Sequence, residues 1–415
     1  MARRVLIIAD DLTGAADAAV AFATQGATSL VVWGETLGDA CARADVIAYN
    51  ADTRGLTASS AAQRNVAWLS RHDGADALLF KKIDSTLRGQ PAAEIAALLA
   101  ALRARDGHAF AVLAPAFPAT GRTTRNGRIY VHDQPLETTQ LWQHEHTYDS
   151  AELPAMLASA GMQGLVLSLD TVRSADALRE ALAAVAARGE VAVCDAMTQA
   201  DLDAVAAASV AQSANVLLIG SAGLAHGLAS LAHAAAADEP AAIAPPGPTG
   251  MLIAVGSLAA ASRAAARTLA QRPGVHYVSV TSEVLLTDDR AAQRAIATRI
   301  AAALAGGEEV VVELQLTAAE LVHSARLATA FGMLIGPLAA IASALVATGG
   351  DTAAALLDHC GVTALRLIAE LEAGVCLAET QGALRLPIVT KAGAFGDPQT
   401  LVRIVERLRS LRQVE

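Results

Sequence analysis

The sequence predicts an α/β protein with two domains, each a largely parallel sheet flanked by helices. Short, β-branched apolar runs alternate with alanine-rich stretches of helical character along most of the chain. The length of 415 residues exceeds what one domain usually holds. A proline- and alanine-rich stretch at 236–249 has no periodic apolar pattern and predicts a linker. We therefore expect domains at 1–235 and 250–415.

Eight apolar runs predict the strands of the first domain, with helical stretches between most of them. Because the runs are apolar throughout, both faces of the sheet are expected to be buried. The predicted strands span 4–9, 29–34, 45–50, 77–82, 110–115, 164–169, 191–196 and 215–220.

The second domain continues this alternation with the runs MLIAV, HYVSV, EVVVEL and ALVAT. Helices are expected over 288–305 and 398–412, the latter with Asp397 as cap and Pro398 as its first residue. The uncharged stretch 327–350 is long enough to raise the question of a membrane span. Its Gly-Pro break favours the end of a buried helix followed by a core strand.

Composition excludes several classes of function. A net charge of −10 and a pI near 5.5 argue against a broad nucleic-acid or anionic-membrane surface. The N-terminal apolar run is short and ends in two aspartates, so we do not expect a signal peptide. A homodimer is compatible with the sequence, which does not indicate an oligomeric state. The scattered cysteines show no metal-binding spacing and predict reduced thiols in a cytoplasmic protein: Cys41, Cys194, Cys360 and Cys376.

The chain has three lysines against 28 arginines. Lysine is a compact point charge on a flexible stem, whereas arginine is a planar fork. A lysine that persists in such a composition indicates a position that arginine cannot serve. Lys82 and Lys391 follow strand-like runs and are predicted to be functional, while Lys81 is expected at the surface.

The motif ADDLTGAAD (9–17) follows the first strand and opens a helix. The carboxyl ends of parallel strands form the ligand crevice of open α/β sheets. One of Asp10 and Asp11 could orient or deprotonate a substrate hydroxyl while the other caps the helix. The sequence leaves open which aspartate has which role.

Three further segments of the first domain carry positive charge. Arg54 in NADTRG offers a bidentate fork to a carboxylate. The loop KKIDSTLRG combines cations, hydroxyls and a helix start, as expected for an anionic, polyhydroxylated ligand. It contributes Lys82, Asp84, Ser85, Thr86 and Arg88. The motif PAFPATGRTTRNGR adds three arginines, of which at least one is expected to be only solvated.

Glycine-rich strand ends in the second domain predict a nucleotide-phosphate site. Glycines allow the backbone to approach a phosphate closely, and N–H groups at a helix start face it. The chain contains neither a P-loop nor a GxGxxG fingerprint. The candidates are Ser257 in GSL, then Gly349, Gly350, Asp351 and Thr352 in TGGDT, and Lys391, Gly393 and Gly396 in KAGAFG.

Six of these motifs occur in the same order in a known family. ADDLTGA, KKIDSTLRG, PAFPATGRTT, GSAGLA, TGGDTA and KAGAFG resemble the four-carbon acid sugar kinases over nearly the whole chain. The resemblance implies an N-terminal domain that binds a sugar acid, a C-terminal domain that binds ATP, and an active site in the cleft between them. It implies phosphorylation of the 4-hydroxyl of a tetronate. Leu12, where many relatives have phenylalanine, and the segment 141–149 depart from the family pattern.

In the mechanism that this resemblance implies, the basic residues of the first domain hold the substrate carboxylate and hydroxyls. Asp10 or Asp11 directs the attacking hydroxyl, and Mg²⁺ bridges the ATP phosphates, as phosphoryl transfer usually requires. The KKIDSTLRG motif is most similar to that of D-threonate kinases, with D-erythronate and 3-oxo-tetronate as alternative substrates. A hydroxy-acid dehydrogenase and a non-catalytic sugar-acid sensor are more distant alternatives. The missing dinucleotide fingerprint argues against the dehydrogenase, and a second glycine-rich domain argues against the sensor.

Overall fold

The chain forms two compact units, Met1–Ala237 and Asp238–Glu415. The structure, a computed structural model, describes residues 4–34, 38–72, 77–144, 146–212, 215–231, 247–287, 289–315 and 324–411. Most of the predicted linker lies outside these residues, so the domain boundaries drawn from the sequence stay a prediction.

The first unit alternates strands and helices, and the eight predicted strands are all present. In chain order its elements are β1 Val5–Ala9, α1 Leu12–Ala23, β2 Ser29–Val32, β3 Val46–Asn50, α2 Ala58–His72, β4 Leu78–Lys82, α3 Pro91–Asp106, β5 Phe110–Ala114, β6 Arg122–Arg125, β7 Arg128–Val131, β8 Gln134–Pro135, α4 Gln140–His144, α5 Leu153–Ala158, β9 Gly164–Leu167, α6 Leu169–Val172, α7 Ala175–Arg188, β10 Val191–Cys194, α8 Gln199–Gln212, β11 Val216–Gly220 and α9 Ala222–Leu231.

These strands form a parallel sheet in the order β2-β3-β1-β4-β11-β5-β10-β9. The chain leaves β1 toward β2 on one side and leaves β4 toward β5 on the other. Ligands bind where connections from neighbouring strands diverge in this way, outside the carboxyl ends of the strands. The sheet order therefore places a crevice at the ends of β1 and β4.

A small antiparallel sheet, β6-β7-β8, was not predicted from the sequence. Its first turn has left-handed backbone at Asn126 (φ 52°) and Gly127 (φ 69°). The carboxylate of Asp195, directly after β10, accepts hydrogen bonds from both of these backbone N–H groups, at 2.6 and 2.9 Å. A long-range cap of this kind leaves no local sequence signal.

The second unit has the elements β12 Leu252–Val255, α10 Ala260–Ala270, β13 Val275–Thr281, α11 Ser282–Leu286, α12 Arg290–Ala305, β14 Glu309–Gln315, α13 Ser324–Ile335, β15 Leu345–Thr348, α14 Gly350–Asp358, β16 Val362–Glu372, β17 Val375–Gly382, β18 Pro387–Lys391 and α15 Thr400–Ser410. The strand order is β13-β14-β12-β15-β18-β17-β16. The first five of these strands pair in parallel, and β12 and β15 are the neighbours whose onward connections diverge.

Two predictions for this unit need correction. The hairpin β16–β17 and its pairing with β18 are antiparallel, which the apolar runs alone did not indicate. The last helix begins at Thr400 rather than at Pro398. The Asp397 side chain accepts from the Gln399 N–H, and the Thr400 hydroxyl accepts from the Asp397 N–H. These bonds form a turn before the helix instead of a cap with proline at the first position.

The break predicted in the uncharged stretch 327–350 is present. Helix α13 ends at Ile335, a 3₁₀ turn spans Gly336–Ile341, and β15 follows. Among the described residues, no helix is both long enough and apolar enough to cross a membrane.

Lys81 is buried, which contradicts its expected surface position. Neighbouring residues of a strand face opposite sides of the sheet, so Lys81 and Lys82 of β4 point to different layers. The Lys81 Nζ lies 2.9 Å from Glu94 Oε2 on α3, and both side chains are almost fully buried. Glu94 also accepts hydrogen bonds from Thr53 and Asn65.

We expect Lys81→Met and Glu94→Gln each to lower the free energy of unfolding of the first unit by about 3–5 kcal/mol, because each leaves one buried partner of the ion pair uncompensated. The double variant should lose less than the sum of the two. Urea unfolding followed by tryptophan fluorescence tests this, since Trp33, Trp68 and Trp142 all belong to the first unit. Additive losses would contradict a coupled pair.

Candidate functional site

Arg54, after β3, holds the two aspartates that follow β1. Its Nε donates to Asp10 Oδ2 at 2.8 Å, and its Nη1 donates to Asp11 Oδ2 at 3.0 Å. Its Nη2 lies 2.8 Å from Asp10 Oδ2 and 3.9 Å from Asp84 Oδ1. Burial alone would lower the pKa of Arg54, but the three carboxylates raise it well above its usual value. The guanidinium is therefore a fixed cation among three acids.

Asp11 is the N-cap of α1. Its Oδ1 accepts from the Gly14 N–H at 2.8 Å, and its Oδ2 accepts from the Thr13 hydroxyl at 2.8 Å. Burial acts to raise its pKa, yet Arg54, Lys82 and the Thr13 hydrogen bond outweigh burial and lower it. Asp11 thus remains ionised, with both oxygens engaged.

Asp10 has a different environment. Its Oδ1 is buried and accepts no hydrogen bond from any described residue. Burial, together with the charge of Asp11, raises its pKa against the attraction of Arg54 and Lys82. Asp10 therefore combines a vacant acceptor with a raised proton affinity. The structure distinguishes the two aspartates, which the sequence could not.

Lys82 is buried beside the start of α1. Its Nζ donates to the Ile83 carbonyl at 3.0 Å. A methyl group at Gly14 would lie 3.1 Å from this Nζ and 2.5 Å from Asp11 Oδ1. Glycine at position 14 is therefore what allows lysine and aspartate to approach the helix start together.

Asp84 organises the loop after β4. It accepts from Arg88 Nε at 2.8 Å and Arg88 Nη2 at 3.1 Å, and from the Thr86 hydroxyl. Burial opposes its ionisation, but the charges of Arg88 and Arg54 hold its pKa well below the usual range. The hydrogen bond between Thr86 and Asp84 thus lies within the loop and helps to fix its conformation. Ser85 is buried there too, at 5% exposure.

The backbone of this loop is left-handed at two positions. Leu87 adopts φ 61° and Gly89 adopts φ 81°, and the former is uncommon for a bulky residue. A methyl group at Gly89 would lie 3.3 Å from the Cα of Arg54. The left-handed turn thus brings the loop after β4 against the loop after β3, and strained backbone of this kind clusters at ligand sites.

Arg122, which was not singled out from the sequence, is a further buried cation near these groups. It begins β6 and is 6% exposed, and its Nη1 donates to the Thr120 hydroxyl at 3.0 Å. Burial lowers its pKa to about 10, with Asp84 and Asp17 opposing this and Arg88 adding to it. The alternation of β6 could have identified it, since Thr124 is buried on the same face. The other two arginines of the motif are half-buried and pair with carboxylates: Arg125 with Asp133, and Arg128 with Glu137 and Glu152.

The segment 141–149, which departs from the family pattern, contacts the start of α3. The Tyr148 hydroxyl accepts a hydrogen bond from the Ala92 N–H at 3.0 Å. Burial raises the pKa of Tyr148 to about 12. The segment therefore supports the helix that follows the KKIDSTLRG loop.

The second candidate site lies where the connections of β12 and β15 diverge. Gly349, with φ 94°, is the N-cap of α14, and its N–H donates to the Lys391 carbonyl at 2.8 Å. Gly350 and Asp351 open the helix, and the Asp351 side chain is exposed. A methyl group at Gly256 would lie 2.1 Å from the Thr352 hydroxyl. The backbone of the loop after β12 therefore packs directly against the Thr352 side chain, which follows β15.

Lys391 joins the loop after β18 to helix α10. It is fully buried, and its Nζ donates to the Ser262 hydroxyl at 2.9 Å, the Ala392 carbonyl at 3.2 Å and the Gly393 carbonyl at 3.3 Å. The Ser262 hydroxyl in turn donates to the Gly393 carbonyl at 2.8 Å. Burial lowers the pKa of Lys391 to about 8, partly opposed by Glu372. The lysine thus stabilises the loop after β18 by donating hydrogen bonds to its buried carbonyl oxygens.

Glycines close this arrangement. A methyl group at Gly393 would lie 2.3 Å from the Ser257 hydroxyl oxygen. Gly396 has φ 85°, and a methyl group there would lie 2.5 Å from the Thr400 hydroxyl oxygen. The structure thus brings together the predicted residues of GSL, TGGDT and KAGAFG, all within the second unit.

Neither a protein-built metal cluster nor a disulfide is found in the part of the chain that the structure describes. No group of three or more acidic, histidine or cysteine side chains is placed to hold a metal there. All four cysteines lie within the described part of the chain and are free thiols.

Comparison with known families assigns both units. Residues 5–228 match the family model described as "Sugar-binding N-terminal domain". Residues 252–401 match the model described as "Nucleotide-binding C-terminal domain". The two matches cover most of the chain.

Curated relatives match over nearly their full length. The D-threonate kinase of Cupriavidus necator is 40% identical, with 95% of this chain and 96% of that protein covered. The 3-oxo-tetronate kinase of Methylobacterium radiotolerans is 29% identical, with 97% and 98% covered. A crystal structure of a Haemophilus influenzae protein matches with a TM-score of 0.73 at 20% identity, covering 97% of this chain and 100% of that one. This structural likeness shows the fold alone.

We expect Lys391→Met to weaken ADP binding while leaving sugar-acid binding intact, because the lysine supports loops of the second unit only. In the unaltered protein, ADP affinity should fall as pH rises through about 8, where Lys391 loses its charge. In the variant this dependence should disappear. Calorimetry with each ligand alone, at a pH below and a pH above that value, measures both effects. Equal loss of both ligands would contradict the separation of the sites.

Proposed function

The chain belongs to the four-carbon acid sugar kinase family, and we propose that it transfers the γ-phosphoryl group of ATP to the 4-hydroxyl of D-threonate. The observation that carries this proposal is the paired aspartate site, in which one carboxylate keeps a buried, vacant oxygen. Such a group suits the removal of a proton from an alcohol, the step that a sugar-acid kinase needs.

The first unit binds the sugar acid in this proposal. Lys82, Arg88 and Arg122 supply positive charge for the substrate carboxylate at the ends of the strands. Ser85 and Thr86 supply hydroxyls for the substrate's own hydroxyl groups. Arg54 has a different part from the one inferred from sequence, because its three nitrogens face Asp10, Asp11 and Asp84. It acts chiefly by fixing the carboxylates and adds charge to the substrate region.

Asp10 is the proposed general base. Its Oδ2 is held by Arg54, so Oδ1 is the atom that accepts the proton of the 4-hydroxyl. The raised pKa makes Asp10 a stronger base than Asp11, whose pKa is lowered. Asp11 holds the start of α1 and keeps the negative charge that favours proton uptake by its neighbour.

The second unit binds ATP in this proposal. The N–H groups at the start of α14 and the glycine loops around Ser257 and Gly393 face the phosphates. Lys391 adds positive charge from beneath these loops. Asp351 is an exposed carboxylate in the first turn of α14, and a magnesium ion held by one carboxylate, phosphates and water fits this donor set. When bound, Mg²⁺ would neutralise charge on the phosphates.

D-threonate is proposed over the other tetronates because a D-threonate kinase matches at 40% identity, against 29% for a 3-oxo-tetronate kinase. D-erythronate and 3-oxo-tetronate remain the alternative substrates. The predicted cleft between the domains, a cytoplasmic location and a homodimer belong to the same proposal.

A substrate panel tests this function. With ATP and Mg²⁺, ADP release should be fastest with D-threonate and slower with D-erythronate and 3-oxo-tetronates, and NMR should locate the phosphate on the 4-oxygen. A faster 3-oxo-tetronate would change the substrate assignment. A lack of ADP release with every sugar acid would overturn the kinase proposal.

We expect Asp10→Asn to lower kcat by about 10²–10⁴-fold, because it removes the general base. Asp11→Asn should mainly raise KM, since asparagine also caps helices well. In the unaltered enzyme, kcat should fall as pH falls through the raised pKa of Asp10, because protonation blocks the base. Kinetics across acidic pH, with circular dichroism as the control for folding, measure this. The reverse ranking of the variants would move the base to Asp11.

A further inference from the structure

Glu313 lies at the carboxyl end of β14, directly beside the predicted phosphate loops. It pairs with Val255 of β12, the residue before Gly256 and Ser257. Val255 pairs on its other side with Thr348, the residue before Gly349. Glu313 is thus in the same row as the ends of the strands that carry these loops, one strand spacing of about 5 Å from β12.

The Glu313 carboxylate is fully buried, yet one of its oxygens has no hydrogen-bond partner among the described residues. Oε2 accepts a hydrogen bond from the Tyr277 hydroxyl at 2.7 Å, and that hydroxyl accepts from Gln315 Nε2 at 3.1 Å. Oε1 accepts no hydrogen bond from the described residues. A buried carboxylate oxygen without a donor is costly to the fold. Such a group in a folded protein calls for an explanation, and a ligand that supplies the missing donor is one.

Helix α10 covers the same face of the sheet. Val311 packs in a core cluster with Ala266 and Leu269 of α10. Two positions further along the strand, the Glu313 side chain points to the same face. The helix begins at Ala260, shortly after Ser257. Glu313 therefore lies close to where the chain passes from the first strand of the unit into its first helix.

This placement matches a feature of the doubly wound, dinucleotide-binding sheets. There, an acidic residue at the end of the strand next to the first strand accepts hydrogen bonds from a ribose hydroxyl. In this unit β14 occupies that place, because β13 lies outside it in the sheet. The usual sequence spacing of about 20 residues between glycine loop and acid does not apply, because β13 and three helices come between.

The opposite side of the phosphate loops is less suited to a ribose. There the Lys391 ammonium donates to three protein oxygens. Beyond it, the Phe395 ring occupies the space over Gly374, where a methyl group would lie 2.0 Å from the ring. The β14 side offers an acceptor without a partner in the described part of the chain, whereas the β18 side is occupied by Lys391 and Phe395. We therefore expect the ribose to lie on the β14 side.

We propose that Glu313 Oε1 accepts a hydrogen bond from a ribose hydroxyl of the bound nucleotide. Tyr277 holds the other oxygen and so orients the carboxylate. Tyr277 is 37% exposed and Gln315 is half-buried, so these two side chains open to admit the ribose. The inference rests on the proposed nucleotide site and adds to it the residue that distinguishes ribose from deoxyribose.

Calorimetry with ADP, 2′-deoxy-ADP and 3′-deoxy-ADP tests this inference on the full-length protein. The unaltered protein should bind at least one deoxy analogue about 10–100-fold more weakly than ADP, the range for a hydrogen bond to a charged group. Glu313→Met, which removes both carboxylate oxygens at similar volume, should bind ADP about as weakly as that analogue is bound, with no further loss when the hydroxyl is removed.

Glu309→Met is the matched control. Glu309 is a buried glutamate at the opposite end of β14 and pairs with Arg409. Its replacement should change stability but retain the full preference for ADP over the deoxy analogues.

Several outcomes would overturn the inference. Equal binding of ADP and both deoxy analogues by the unaltered protein would do so without any variant, even if Glu313→Met failed to fold. A folded Glu313→Met that still discriminates would assign Glu313 a structural role only. Failure of the unaltered protein to bind ADP at all would instead overturn the proposed nucleotide site.

Discussion

The first unit depends on a partly exposed arginine that holds two adjacent, buried aspartates. The two carboxylates follow the same end of β1 and repel each other, and burial raises the free-energy cost of ionising either one. Arg54 offsets this by donating to both, from a loop that follows a different strand. The loops after β1 and β3 are therefore joined by charge, and Gly89 lets the loop after β4 pack against Arg54.

The same network makes the two aspartates unequal. Asp11 receives the Gly14 N–H and the Thr13 hydroxyl because it begins a helix, and these bonds stabilise its charge. Asp10 lies one residue earlier, still at the strand end, and keeps a vacant oxygen. A one-residue difference in position thus separates a structural carboxylate from one suited to accept a proton.

The second unit uses the opposite arrangement. There a buried lysine donates to carbonyl and hydroxyl oxygens, and close approaches at Gly256 and Gly393 bring three loops together. In the proposed nucleotide site, the charge that attracts phosphate comes from a lysine buried under the loops, and the N–H groups of the helix start are the donors proposed to contact a phosphate. Glycine is required at these two positions because the Cβ atom of any other residue would collide with a hydroxyl oxygen.

The sequence by itself determined the alternation of strands and helices, the strand ends that carry polar residues, and the family. These follow from local patterns: apolar runs for buried strands, and motifs whose spacing the chain preserves. It also marked Lys82 and Lys391, because lysine is rare in this composition. It could not separate Lys81 from Lys82, since that depends on which face of β4 each side chain occupies and on Glu94 far along the chain.

Only the tertiary structure decided the roles within each site. Arg54 faces the aspartates, Arg122 lies near the charged group at the start of a small sheet that was not predicted from the sequence, and Glu313 pairs with Val255, two residues before Ser257, although Glu313 and Val255 are distant in sequence. The division between Asp10 and Asp11 likewise depends on which hydrogen-bond donors other elements bring to each oxygen. Burial and long-range pairing set proton affinities and vacant acceptors, and these depend on three-dimensional neighbours that no local segment encodes.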